Sequence, residues 1–345
     1  MKSRLFLIGA LAFVLGVSSC KKEVTSNRYE VLLPSNFPAP EYNLASNPVT
    51  PEGFELGKRL FYDPILSQDS TISCADCHIS FSAFSHPDHI TSHGIRGQFG
   101  KRNAPAIQNL IWQRAFFWDG GVPDMDLISL NPIQNPVEMD EDPANVIRKL
   151  NRNEMYRRMF KAAFPGRDTI DGPQMMQAFS QFMAMLVSAN SRYDKYVRGE
   201  SGANLTPQEL SGLAVFRLKC SSCHQGDLFT DGAYRNNGIL GDFTSDKGRY
   251  EVSSMPEDIG KFKTPSLRNV AVTQPYMHNG RFKTLESVMD HYASGVKVTQ
   301  TLDPKLLENG TPGIPLSSTE KLDLVAFLKT LTDESFIRDE RFQQN

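Results

Sequence analysis

The pentapeptide Cys74-Ala75-Asp76-Cys77-His78 is matched 146 residues later by Cys220-Ser221-Ser222-Cys223-His224. This repeated C-x-x-C-H pattern is the attachment signature of haem c. The spacing has a chemical basis. Two cysteines three apart on a helical turn reach the two vinyl groups of one porphyrin as thioethers, and the adjacent histidine falls under the iron as its proximal ligand. A zinc site needs no histidine after each cysteine pair, and a redox dithiol has no reason to occur twice with histidine attached. A disulfide closing so short a loop is strained. The chain is therefore expected to bind two haem c groups covalently, through Cys74, Cys77, Cys220 and Cys223. His78 and His224 are the expected axial ligands. A fold built around two such groups is expected to be mainly α, as two tandem cytochrome c domains.

The fifth cysteine is Cys20, one of five in 345 residues. It ends a stretch that opens with Lys2 and Arg4 and continues through the apolar run Leu5 to Val17. That run has export-signal length and is shorter than a membrane span. Val17-Ser18-Ser19-Cys20 resembles a bacterial lipobox, which makes residues 1–19 a signal peptide and Cys20 a lipid anchor. Residues 20–50 read as a tether, 51–195 as the first haem domain and 196–345 as the second. Thirty-seven basic residues balance 39 acidic ones, for a net charge of −2, which leaves no footprint for nucleic acid. Helical punctuation supports the two-domain reading. Thr206-Pro207-Gln208-Glu209 and Ser317-Ser318-Thr319-Glu320 are capping boxes. Met175, Phe179, Phe182, Met183 and Leu186 form one apolar stripe, and Leu324, Leu328 and Leu331 form another.

Six further motifs occur in order around the haem signatures. They are Leu60-Phe61-Tyr62-Asp63-Pro64-Ile65-Leu66-Ser67, Arg102-Asn103-Ala104-Pro105, Phe117-Trp118-Asp119-Gly120, Asn135-Pro136-Val137-Glu138-Met139, Thr264-Pro265-Ser266-Leu267-Arg268-Asn269-Val270 and Tyr276-Met277-His278-Asn279-Gly280. On these the chain resembles, from about Gly53 to Thr332, the bacterial di-haem cytochrome c peroxidases, a family that includes the MauG-type enzymes. The resemblance implies a peroxidatic haem on His78 and an electron-transfer haem on His224. Glu138 matches the family's distal glutamate, and Trp118 its electron-relaying tryptophan between the haems. Asn103, Thr273 and Pro275 match the ligand positions of a calcium ion. At the sixth position of the second haem, Tyr292 matches the tyrosine of the MauG-type enzymes, with Met277, Met289 and His291 as rivals.

Two positions depart from the family pattern. Ile128 stands where many members have a distal glutamine, and Ile95 stands where many have a histidine capping the first haem. His86, His89 and His93 lie near that second position, and an open first iron is the favoured expectation. The resemblance implies reduction of hydrogen peroxide with electrons from a small cytochrome or cupredoxin, in a periplasm-facing protein held to the membrane only by its lipid. A homodimer is left open. Oxidation of a protein substrate, as in the MauG-type enzymes, and a non-catalytic di-haem electron carrier are the alternatives.

Overall fold

The hydroxyl of Thr50 accepts the Gly53 amide and Pro51 supplies the first residue, so the chain enters its first helix as a capped start. The computed structural model describes residues 29–344. The expected export signal and Cys20 lie outside the described residues. Among those residues the fold is mostly helical. The helices are α1 (Pro51–Tyr62), α2 (Leu130–Gln134), α3 (Pro143–Arg152), α4 (Glu154–Ala163), α5 (Gly172–Ala184), α6 (Arg192–Val197), α7 (Pro207–Lys219), α8 (Tyr250–Ser253), α9 (Leu285–Asp290), α10 (Ser318–Lys329) and α11 (Glu334–Ile337). Strand is confined to two antiparallel ribbons of two-residue strands, β1 (Tyr234–Arg235) with β2 (Phe262–Lys263) and β3 (Leu307–Glu308) with β4 (Thr311–Pro312).

Both expected capping boxes form, at the starts of α7 and α10. The helices then repeat one arrangement twice. α1 packs on α5, and α7 packs on α10. In each pair a glycine sits at the closest approach. A Cβ on Gly57 would lie 2.0 Å from the Ala178 carbonyl oxygen, and one on Gly212 would lie 1.9 Å from that of Asp323. Four residues after each glycine comes a phenylalanine that meets one on the partner helix. Phe61 and Phe182 have centroids 5.1 Å apart, and Phe216 and Phe327 5.2 Å. Each such ring, buried from water, contributes on the order of 1.5–3 kcal/mol. The two haem motifs thus each follow a helix packed in the same way.

The two helix pairs head separate cores. The first runs from Phe37 to Ala189 and takes in the whole Met175–Leu186 stripe. The second runs from Tyr193 to Leu331. The chain end does not stay with the second core: Phe336, Ile337 and Phe342 pack into the first. Asp333 directs this return. Its carboxylate accepts the amides of Ala189 and Asn190, at 2.9 and 2.8 Å, and also caps α11.

Between the cores the polar groups are buried and satisfied. Gln108 donates to the Arg268 carbonyl at 2.7 Å, and Asn109 to the Ser188 carbonyl at 3.0 Å. Arg268, wholly buried, grips Asp194 with two bonds of 2.7 and 2.9 Å. Asp194, at the end of the expected first domain, thus belongs to one of the deepest ion pairs among the described residues.

Candidate functional site

Each C-x-x-C-H segment ends with its imidazole fixed by a backbone carbonyl. His78 Nδ1 donates to the Phe84 carbonyl at 2.8 Å, and His224 Nδ1 to the Phe229 carbonyl at 3.1 Å. A carbonyl only accepts, so Nδ1 carries the proton in both rings and Nε2 keeps its lone pair for a metal. Phe84 and Phe229 both adopt positive φ, 59° and 53°, so the two carbonyls are delivered by the same local bend. Burial depresses the pKa of both histidines and keeps them neutral.

The four cysteines of the motifs are unpaired. Burial pushes the thiols of Cys74 and Cys220 up to about 12 and that of Cys77 up to about 11. The thiols are thus protonated in these apolar surroundings.

One cavity of about 1560 Å³ is lined by both motifs. Sites for a single drug-sized ligand are about 300–1,000 Å³, so this space suits more than one large group. Its walls are largely apolar, with Phe61, Phe179, Met183, Phe216 and Leu324 among them. The residues present thus fit two haem c groups, one at each end.

At the His78 end, Glu138 lines the cavity and its carboxylate accepts the Ser92 hydroxyl at 3.0 Å. Burial raises its pKa, and hydrogen bonds from Ser92 and Asn135 offset part of that rise. Ile128 lines the same cavity and offers no donor there. Ile95 is buried in the protein, and His93 is the histidine of its loop that reaches the cavity wall.

Trp118 also lines the cavity and donates to the Asn103 carbonyl at 2.8 Å. Its ring stands edge-on to His278, 6.4 Å between centroids, and His278 stacks on Phe262 at 3.5 Å. Arg102 lies over Phe262 and pairs with Asp119 and Asp246. Lys263, also on the cavity wall, donates to the Gln113 side chain and the Ala115 carbonyl, and burial pushes its pKa down to about 8. Asn103, Thr273 and Pro275 all line the cavity, but the Asn103 amide nitrogen is directed to the carbonyls of His89 and Ile90, both at 3.2 Å.

At the His224 end, Tyr292, Met277 and Met289 line the cavity. Tyr292 sits in the wide helical turn His291–Gly295 that continues α9, a local widening of the kind often found at functional sites. Burial pushes its phenol up to about 12, and a hydrogen bond with the Asn237 side chain opposes that rise. The same Asn237 side chain donates to the Met277 sulfur at 3.3 Å. The rival His291 turns away: its Nε2 donates to the Asn237 carbonyl at 3.0 Å. Asn237 thus touches three of the four candidate ligands, Tyr292, Met277 and His291, and no local motif announces it. His278 was visible only as part of a motif.

A family model for di-haem cytochrome c peroxidase matches residues 51–202. The methylamine utilization protein MauG of Methylorubrum extorquens is 32% identical over 309 residues, 87% of this chain and 83% of that one. The cytochrome c551 peroxidase of Nitrosomonas europaea is 33% identical over 293 residues, 83% of this chain and 82% of its own. Among solved structures, a MauG-like protein associated with microbial copper homeostasis superposes with a TM-score of 0.80 at 34% identity, covering 90% of this chain and 97% of that one. The di-haem peroxidase BthA of Burkholderia thailandensis gives 0.73 at 27% identity, over 86% and 91%. With two haem-attachment motifs facing one cavity and relatives of both kinds matched over most of its length, the chain belongs to the di-haem cytochrome c peroxidase family.

Proposed function

We propose that the protein reduces hydrogen peroxide to water at the His78 end of the cavity, using electrons that a small redox protein delivers at the His224 end. Glu138 carries this reading: a cavity-lining carboxyl whose pKa is raised by burial and whose position is held by Ser92. The overall change consumes one peroxide, two protons and two electrons and yields two waters. When bound, a haem c held by Cys74, Cys77 and His78 supplies the iron at which peroxide is reduced. The Glu138 carboxylate takes the proton from one peroxide oxygen and gives it to the other, which leaves as water. A pKa shifted toward the working pH favours both transfers. With Ile128 contributing no donor, the carboxylate acts without a neighbouring amide. Trp118 is our candidate for the electron path between the two ends.

Oxidation of a protein substrate, as in the MauG-type relatives, is the second reading, and Tyr292 on the cavity wall beside His224 favours it. Axial ligation by Tyr292, a calcium ion near Asn103, Thr273 and Pro275, and a periplasm-facing location with Cys20 lipidated belong to the same proposal. Steady-state peroxide consumption with reduced cytochrome c or cupredoxin tests the first reading. Turnover that oxidises two donor equivalents per peroxide supports it. Peroxide consumption that no donor accelerates favours the second reading.

A further inference from the structure

Three of the seven histidines, His86, His89 and His93, cluster in the loop after the first haem motif, with His89 stacked on each of the other two. Ring centroids are 4.0 Å apart for His86 and His89, 5.0 Å for His89 and His93, and 5.0 Å for His86 and His93. His86 is only 2% exposed, and the buried Nδ1 atoms of both His86 and His93 have no hydrogen-bond partner. Buried polar nitrogens are ordinarily satisfied, so two orphans side by side need an explanation. Ligand atoms of His86, His93 and Cys77 all lie within 4.8 Å of one another. A tetrahedral centre with bonds of about 2.0–2.3 Å places its ligand atoms roughly 3.3–3.7 Å apart, so a modest inward movement would complete one.

The loop is braced where such a site would need it. The Asn103 amide holds the carbonyls of His89 and Ile90, and His93 bridges to Phe99. Of the three rings only His93 borders the haem cavity. His86 and His89 do not line it.

The donor set selects the ion. Imidazole suits zinc, copper, nickel and iron, and the sulfur is a soft donor that narrows this choice. In the holoprotein Cys77 is a haem thioether, a point that rests on the haem-attachment reading, and thioether with imidazole favours copper, which also leads the divalent series in affinity. We propose that His86 and His93, with the Cys77 sulfur and with His89 alongside, form a copper site at the edge of the first haem, distinct from the haem iron.

The test uses chelator-treated holoprotein carrying a measured haem-to-protein ratio, to which Cu(II) is added alone. Bound copper is measured by elemental analysis, affinity by competition with a chromogenic chelator, and ligation by electron paramagnetic resonance. The expected result is one copper per chain with nitrogen hyperfine structure. His86→Ala and His93→Ala should weaken binding by more than about 100-fold, since even an outer partner of a metal ligand is worth about 10–100-fold. Should His86→Ala give no holoprotein, His86→Asn keeps the volume and removes the ligand. Normal haem content with no stoichiometric copper, or copper bound equally well by His86→Asn and His93→Ala, overturns the site. The same holds if His93→Ala converts a low-spin first haem to high spin while the parent binds no copper, because His93 is then an iron ligand. A haem ratio below two counts against the haem reading instead.

Discussion

Replacing Glu138 by Gln changes the chemistry of the site while sparing its structure. Glutamine has the same length and keeps an oxygen that accepts the Ser92 hydroxyl, now 3.0 Å from the carboxylate. No cavity opens, and folding and haem content should match the parent. What is lost is the ability to take and return a proton. General acid–base catalysis contributes about 10²- to 10⁴-fold. At 1.36 kcal/mol per tenfold, kcat/KM for peroxide should therefore fall by a barrier increase of about 2.7–5.4 kcal/mol. The pH profile provides a second signature. Burial raises the pKa of Glu138, so its active, deprotonated form is lost on acidification at a pH above the ordinary glutamate range. The parent rate should rise through that window as pH increases, and the Gln variant should be flat there. The assay is initial rate against peroxide with a reduced donor from pH 4 to 8. A variant within about threefold of the parent, or one that retains the acid limb, would refute the assignment.

Three further outcomes follow from the packing and the second end of the cavity. Gly212→Ala drives a methyl to 1.9 Å from the Asp323 carbonyl and should cost about 1–3 kcal/mol or more in thermal unfolding, whereas Gly172→Ala meets nothing within 4 Å and should stay within about 0.5 kcal/mol. Tyr292→Met should raise the potential of the second haem in a redox titration and bring in a near-infrared thioether–iron band; an unchanged potential, or the band already present in the parent, returns the ligand role to Met277. Asp194→Asn leaves the buried Arg268 charge unpaired and should cost about 3–5 kcal/mol at neutral pH in denaturant melts. Although burial raises it, the Arg268 bonds hold the Asp194 pKa below its ordinary value. Its stabilisation is therefore complete above the unfolded value and lost as pH falls through the folded one, so parent and variant should converge in acid.

What could be read in advance was what local chemistry requires. Two thioether bonds and one axial nitrogen per haem demand a fixed spacing, so Cys74, Cys77 and His78 and their counterparts declare themselves. Capping boxes at Thr206 and Ser317 are equally local. Glu138 and Trp118 were legible only through motif order, because burial and the Ser92 bond depend on a distant loop. Asn237 carried no signal at all: it reaches Met277, 40 residues away, and His291, 54 away, only once the chain is folded. The return of Phe336 and Phe342 to the first core was hidden for the same reason. It is set by Asp333 accepting amides more than 140 residues away, and an apolar face does not state which core it will join. The histidines of the 86–93 loop were visible as residues, but their stacking was not.

The central claim is that the His78 end is built for peroxide while the His224 end only transfers electrons. The electron paramagnetic resonance spectrum of the ferric holoprotein tests this most directly, because it counts open and closed irons separately. The account predicts one high-spin centre, from an iron whose sixth position is free for peroxide beside Glu138, and one low-spin six-coordinate centre. Two low-spin six-coordinate centres would contradict an open first iron, and if the first stayed low-spin in His93→Ala the protein would be an electron carrier.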